Sequence, residues 1–478
     1  MPHIVILGSG PGGYEAALVA ASSGASVTII DADGVGGACV LTDCVPSKTL
    51  IATSNAMTAV TGAGSLGVRL KVDRARSTHA PATADDADIP DVAGIDVGRV
   101  YSRVKALAAA QSRDIETRLE KEGVRIVHAP GRLVGPHAVE TDSGESFVGD
   151  GVLIATGASP RILPSAVPDG ERILTWRHLY DLDVLPEHLI VVGSGVTGAE
   201  FASAYRALGS AVTLVSSRDR VLPGEDADAA RVLEEVFERR GLTVLGASRA
   251  SAVRRTGDGV AVELADGRVV TGSHALMAVG SVPRTEGIGL TDVGVRLDAG
   301  GHVVVDRVSR TSVPGVYAAG DCTGVLPLAS VAAMQGRIAM WHALGAAVAP
   351  LRLGTVSSTV FTEPEIATVG VSQRTVESGA VPAEMTMLPL ARNPRAKMQG
   401  ITEGFVKLFS RSGSGSVLGG VVVAPGASEL ILPISLAVQN GLTVDQISHT
   451  FAIYPSLSGS ITELARVVMP SDAFANTL

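Results

Sequence analysis

Two cysteines separated by four residues, Cys39-Val-Leu-Thr-Asp-Cys44, follow a glycine-rich turn, Gly8-Ser9-Gly10-Pro11-Gly12-Gly13. A close sulfur pair can trade a disulfide for two thiols, which is a two-electron reaction. Carried beside a nucleotide-binding turn, it points to electron transfer between a flavin and sulfur. Only one other cysteine occurs, Cys322, so the pair is not part of a disulfide scaffold. Taken alone, two such cysteines read equally well as buried free thiols.

The elements around the pair decide between these readings. Ile4-Val5-Ile6-Leu7 is a continuous apolar run that predicts a buried strand. The glycine turn follows, then an Ala-rich helix to about Ser22, and a second strand, Ser26 to Ile30, ending at Asp31. Gly8, Gly10 and Gly13 make the tight turn, let backbone approach a pyrophosphate and let the helix pack on the strand, with Pro11 opening the helix. The helix N-terminus offers amides to the phosphates. Asp31 stands where a carboxylate accepts hydrogen bonds from a ribose hydroxyl.

The same pattern recurs at Leu189-Ile190-Val191-Val192, then Gly193-Ser194-Gly195-Val196-Thr197-Gly198, a helix to Leu208 and a strand Val212 to Val215. Two copies imply two dinucleotides, or one dinucleotide and one flavin. The second copy ends Val215-Ser216-Ser217-Arg218-Asp219-Arg220, with no carboxylate at Ser216. An acid there would repel a 2′-phosphate, whereas Ser216, Ser217 and Arg218 suit the phosphate of NADP. The bland alternative is a solvated turn.

Farther along, Ser77 to Asp96 is rich in Ala, Asp, Pro and Thr and reads as a surface insertion. Val100 to Lys121 predicts an amphipathic helix, and Gly151 to Gly157 a buried strand ending in a turn. After about Thr355 come β-rich segments, Phe405 to Phe409 and Val417 to Val423, then a helix, Glu429 to Asn440. With 478 residues, 55 glycines and only 3% aromatics, the core must rest on Val, Ala, Leu and Ile, the texture of parallel α/β proteins. A formal net charge of −9 argues against a nucleic-acid partner. No apolar stretch approaches the ~18 residues that span a bilayer. Three cysteines and no leader-like apolar segment suggest a cytoplasmic protein.

These features together resemble the flavoprotein disulfide reductase family, which includes dihydrolipoamide dehydrogenase, glutathione reductase and mercuric reductase. The resemblance runs close to full length. Gly36 to Lys48 is similar to the redox-cysteine motif, and Ala155-Thr156-Gly157 to the mid-chain turn. Gly315-Val316-Tyr317-Ala318-Ala319-Gly320-Asp321 is similar to the second flavin segment, and Val360 to Glu365 to the opening of the dimerisation domain.

The resemblance implies an α/β fold: two Rossmann-like domains, for FAD and NAD(P), plus a C-terminal α+β dimerisation domain. Residues 1–158 and 283–350 would form the FAD unit, with an insertion near 70–98. Residues 159–282 would bind NAD(P), and 351–478 would dimerise. It places FAD on the first fingerprint, with Asp31 on the adenosine ribose and Asp321 on the ribityl chain beside Gly320, Thr156 and Gly157. NADPH or NADH takes the second fingerprint, Gly193, Gly195, Val196 and Gly198. Lys48 and Glu200 correspond to the ion pair beside the flavin, Cys44 to the flavin-proximal sulfur and Cys39 to the interchange thiol. An ideal helix points an i, i+5 pair apart, so the segment between the cysteines must unwind. A homodimer is implied and no metal is expected.

The pattern fails at the proton partner. The family supplies a His-Pro motif from the second subunit, oriented by a glutamate; here the stretch is Tyr454-Pro455-Ser456-Leu457-Ser458-Gly459. Tyr454 replaces the histidine and Gly459 the glutamate, and a phenol with an ordinary pKa near ~10 is a poor proton acceptor at neutral pH. His449 is out of register. Asp43 stands where the family has glycine, and its charge is expected to disfavour the Cys44 thiolate. Ala38 replaces a hydroxyl-bearing residue, and Val196 a tyrosine that gates the flavin in glutathione reductase. The expectation is therefore an NAD(P)H quinone reductase that passes hydride through FAD. The alternatives are a dihydrolipoamide dehydrogenase-like disulfide reductase, a soluble transhydrogenase and a non-catalytic flavin redox sensor.

Overall fold

The computed structural model describes residues 1–68 and 95–468. His3–Leu7 is the middle strand of a five-stranded sheet, flanked in parallel by Ser26–Asp31 and Gly151–Ile154. Arg125–His128 lies outside Ser26–Asp31, and Val316–Ala318 covers Gly151–Ile154 on the opposite edge. Ile4, Val5, Ile6 and Leu7 are all buried, as a strand covered on both faces requires. The helix Pro11–Ser22 follows at once and packs along the helix Ala329–Ala343.

A second sheet repeats this plan. His188–Val192 lies between Ala211–Val215 and His274–Met277, all parallel, with Thr243–Leu245 and Ile173–Leu174 at the edges. The helix Val196–Leu208 takes the place of Pro11–Ser22. Both glycine turns therefore leave the carboxyl end of a central strand, where open α/β sheets bind ligands.

The third sheet is antiparallel: Ser357–Val360, Glu365–Gly370, Val417–Ala424, Phe405–Arg411 and Ala383–Pro389 in spatial order. Helices Leu432–Asn440 and Gly459–Val468 bury Ile434, Ala437, Ile461 and Leu464 against it.

Two sequence expectations change. The helix expected over Glu429–Asn440 is two helices, Ala427–Leu430 and Leu432–Asn440. Pro433 has no N–H to give the Glu429 carbonyl, so the first helix stops and a new one starts with proline in its first turn. The long helix begins earlier than Val100, at Val97, because the Asp96 carboxylate accepts the Arg99 N–H at 3.0 Å and caps it. Most of the expected insertion, including Ser77, lies outside the described residues. Among the described residues no helix is long and apolar enough to cross a membrane.

Candidate active site

The two glycine turns are built alike to within tenths of an ångström. A Cβ on Gly13 would fall 1.9 Å from the Gly8 carbonyl oxygen, and one on Gly198 would fall 1.9 Å from that of Gly193. Gly8 and Gly193 hold φ of +102° and +113°, a region closed to most side chains. Gly10 and Gly195, the residues capping each helix, face nothing within 4 Å. That open space before a helix N-terminus is where a pyrophosphate fits.

Asp31 ends its strand with the carboxylate turned to this turn. Ser9 N–H and Oγ–H donate to Oδ2 at 2.6 and 2.8 Å, and the N–H groups of Asp33 and Gly34 donate to Oδ1 at 2.7 and 3.0 Å. A ribose hydroxyl reaching Asp31 must share these oxygens with, or displace, the Ser9 hydroxyl.

One cavity of about 1250 Å³ gathers most of the expected site. Gly8, Gly10, Pro11 and Asp31 line it from the first fingerprint, and Val196 and Glu200 from the second. Cys39, Cys44, Lys48, Thr156, Gly157, Gly320 and Asp321 line it as well. Gly193, Gly195 and Gly198 are not among its lining residues; they belong to the turn and helix that carry Val196. Ser216, Ser217, Arg218 and Tyr454 lie outside it.

The cysteine segment unwinds as expected. One short helix, Gly37–Leu41, carries Cys39; the chain breaks at Thr42 and Asp43; a second helix, Cys44–Gly62, carries Cys44 and Lys48. Asp43 takes φ −127° and ψ −96° at the break. Both cysteines are free thiols and hydrogen-bonded to each other. That hydrogen bond lowers the Cys44 pKa below the usual thiol value despite burial and the Asp43 charge. The same bond, with burial, raises that of Cys39.

The expectation for Asp43 holds in its direction. Its carboxylate does oppose the Cys44 thiolate, but the Cys39 hydrogen bond and the Lys48 cation outweigh it. The larger effect falls on Asp43 itself: burial, with Glu200 and Asp321 nearby, raises it to about 6 against the pull of Lys48 and Arg177.

Lys48 Nζ pairs with Glu200 Oε2 at 2.8 Å and lies 4.9 Å from the centre of the Phe361 ring. Glu200 is 3% exposed, and its other oxygen accepts the Phe361 N–H at 2.9 Å. Burial opposes the lysine charge, yet Glu200 and Cys44 more than offset it and the Lys48 pKa rises.

Sequence reasoning missed Trp176, Arg177, Glu225, Arg284 and Phe361, which also line the cavity. Only Phe361 stands in a motif, Val360 to Glu365, which carries no signal for this cleft, and tertiary packing brings all five in. Arg177 is the most informative, since its Nε is buried with no hydrogen-bond partner. A buried unsatisfied donor facing an open cleft is what a site shaped for a polar group looks like. With the open cradle at Gly10, it fits a flavin dinucleotide.

At the second fingerprint the three NADP candidates separate. Ser216 is fully buried: its Oγ lies 2.7 Å from Ser194 Oγ, donates to the Arg218 carbonyl at 3.0 Å and accepts the Arg218 N–H at 3.1 Å. It shapes the turn and faces inward. Ser217 and Arg218 are exposed.

Tyr454 is 81% exposed and precedes a cis Pro455, in a run with exposed Phe451 and Ile453. Gly459 only starts the last helix. His449 is exposed, with Nδ1 2.9 Å from the Asp445 carbonyl, and takes no part in the cavity.

Comparison with known proteins agrees with this geometry. Residues 2–336 match the family of pyridine nucleotide-disulphide oxidoreductases, and residues 356–465 match its dimerisation domain. Proteins named NAD(P)H dehydrogenase (quinone) from two strains of Mycobacterium tuberculosis are 57% identical over 98% of this chain and 94% of theirs. A dihydrolipoyl dehydrogenase of Chlorobaculum tepidum is 31% identical over 97% of this chain and 96% of its own. The crystal structure of LpdA from Mycobacterium tuberculosis superposes with a TM-score of 0.90 at 56% identity, over 98% of this chain and 100% of that one. The disulfide reductase RclA from Escherichia coli shares the fold, with a TM-score of 0.84 at 22% identity. By motif, architecture and these likenesses, the chain belongs to the pyridine nucleotide-disulphide oxidoreductase family.

Proposed function

We propose that this chain is an NAD(P)H quinone reductase, a homodimer that takes hydride from NADPH and passes it through FAD to a quinone-type acceptor. One observation carries the reading. Both fingerprints reach a single cavity that holds the Lys48–Glu200 pair, while the residue at the position of the family's proton partner is Tyr454, not histidine. The name borne by the 57% identical Mycobacterium tuberculosis proteins supports it.

FAD, when bound, supplies hydride acceptance and release, and the protein supplies position and charge. Gly10 and the Pro11–Ser22 helix would hold its pyrophosphate, with Asp31, Thr156 and Asp321 along its length. Lys48, kept cationic by Glu200, would stand where negative charge gathers on the reduced ring. Val196 leaves the nicotinamide side of the cleft open. Arg218 and Ser217 would take the 2′-phosphate of NADPH, so Arg218→Ala should raise the KM for NADPH and leave that for NADH in place.

The test is an acceptor panel: NADPH and NADH, each against quinones, lipoamide and glutathione disulfide. Cys39→Ser and Cys44→Ser variants should keep most quinone turnover. Collapse of that activity in either variant, with FAD still bound, would sink the proposal. The reading as a disulfide reductase keeps one observation in its favour: Cys39 and Cys44 are close, hydrogen-bonded, and biased toward a Cys44 thiolate. Rapid lipoamide turnover would establish it instead.

A further inference from the structure

We propose that Asp43 is the proton donor to the acceptor in this cleft, replacing by an internal carboxyl the proton partner lost at Tyr454. The inference rests on the quinone reading above.

Reduction of a quinone to a hydroquinone takes two electrons and two protons. The C–H bond broken at the nicotinamide supplies both electrons and one proton, as hydride. The second O–H bond of the hydroquinone needs another proton. In the inferred step the Asp43 O–H breaks as that bond forms, and the carboxylate left behind regains a proton from water. The balance is NAD(P)H plus quinone plus one proton giving NAD(P)⁺ plus hydroquinone.

Three observations single out Asp43. It lines the cavity directly beside Cys44. It also stands at the N-cap of the Cys44–Gly62 helix, yet its side chain makes no capping hydrogen bond. An aspartate there normally accepts an amide of the first turn; the carboxylate of this one makes no hydrogen bond or ion pair among the described residues. Its carboxyl is free to exchange a proton.

The charges around it explain why a proton stays there. Glu200, Asp321, Lys48, Arg177, Tyr180 and the two thiols all face it. Lys48 is already bound to Glu200 at 2.8 Å. Arg177 is the other cation near Asp43, and burial with Glu200 and Asp321 nearby holds Asp43 to about 6. The competing donors are poorer. Cys44 favours its thiolate, Cys39 holds its proton in the bond to Cys44, and Lys48 is locked as a cation.

The experiment compares FAD-loaded wild type with Asp43→Asn and Asp43→Gly, the latter being the residue of the family pattern. Two acceptors are used: a water-soluble benzoquinone, and ferricyanide, which takes electrons without protons. In the wild type, quinone turnover should fall as pH rises through about 6, the value at which the acid form is lost. Both variants should lose that inflection and about 10²-fold of the quinone rate at pH 6, within the range of general-acid catalysis. Ferricyanide rates should stay level throughout.

A readout independent of turnover is the alkylation of Cys44 followed by mass spectrometry. Its pH profile should carry a second inflection near 6 in the wild type that Asp43→Asn lacks. The inference is overturned if the variants keep the wild-type quinone profile, or if both acceptors slow together. Transfer of the pH effect to a Glu225→Gln variant would equally overturn it. A wild type that reduces ferricyanide but no quinone at any pH removes the quinone reading itself, and the inference with it.

Discussion

Lys407 Nζ stands 2.8 Å from both carboxylate oxygens of Asp226, with each side chain sealed from solvent. Asp228 and Gln373 complete its shell at 2.8 and 2.9 Å. Lys407 lies in the antiparallel sheet, whereas Asp226 caps the Ala227–Arg239 helix behind the second fingerprint. One buried cation therefore joins the antiparallel sheet to the unit that carries the second fingerprint.

Removing one partner of such a pair strands a buried charge, at a cost of about 3–5 kcal/mol. Lys407→Met should lower the unfolding free energy by that amount in a denaturant titration. Lys407→Met with Asp226→Asn should recover most of it, since asparagine still accepts the Asp228 and Ala229 amides that Asp226 caps at 3.1 Å each. A double variant as unstable as the single one would mean that packing, not charge, is lost.

The glycine turns predict a split between folding and binding. Gly13→Ala places a Cβ 1.9 Å from the Gly8 carbonyl and should disrupt the domain. Gly10→Ala meets nothing in the protein within 4 Å, so it should fold normally yet purify with little flavin. Circular dichroism and flavin absorbance separate the two. Gly198→Ala and Gly195→Ala should repeat the contrast for the nicotinamide coenzyme, read as coenzyme affinity.

Two buried groups pull stability in opposite directions across one pH window. Burial and nearby carboxylates raise Asp43 from 3.8 to about 6, so the folded state binds the extra proton between those values. Stability from Asp43 is full below its ordinary pKa and is lost as pH rises through 6, by about 3 kcal/mol. Burial, with Arg172 alongside, lowers His274 from 6.5 to about 4. Its contribution is present above 6.5 and is lost as pH falls toward 4. Asp43→Asn should therefore be more stable than the parent above pH 6 and no different near pH 4. His274→Asn should show its largest deficit above pH 6.5. Unfolding free energies at pH 4, 5, 6 and 7 check both slopes.

Legibility of the fold followed local repetition. The run Ile4–Leu7, the turn and the Ala-rich helix were readable because strand, glycine spacing and helix lie within a short stretch, and the second copy confirmed the pattern. Pro433 was equally visible, but its effect on a helix depends on where the preceding turn begins. The cleft was half readable. Cys39, Cys44 and Lys48 stand in one motif, whereas Trp176, Arg177 and Glu225 reach the cavity only through packing of distant segments. Ser216 shows the limit most plainly: its type suited a phosphate, but its hydroxyl points inward to Ser194. Asp43 shows it in energy, since its sequence neighbour Cys44 was visible and the crowd of Glu200, Asp321 and Arg177 was not.

The Lys48–Glu200 pair carries the last prediction. Glu200 holds the lysine through one oxygen and the Phe361 N–H through the other, so its orientation is set by the backbone just past the strand Ser357–Val360. Lys48→Met removes the cation expected to offset charge on the reduced flavin. Loss of one such positioned donor costs about 10²–10³ in rate, which should appear as slower flavin bleaching by NADPH in anaerobic stopped flow, with FAD retained. Glu200→Gln keeps the Phe361 hydrogen bond but takes away the largest charge that raises Lys48. Burial then prevails and the lysine pKa falls. The cationic form is the active one, so the bleaching rate of Glu200→Gln should match wild type at low pH and decline as pH rises, over a range where wild type stays level. A flat profile for Glu200→Gln would show that the carboxylate positions Lys48 without tuning its charge.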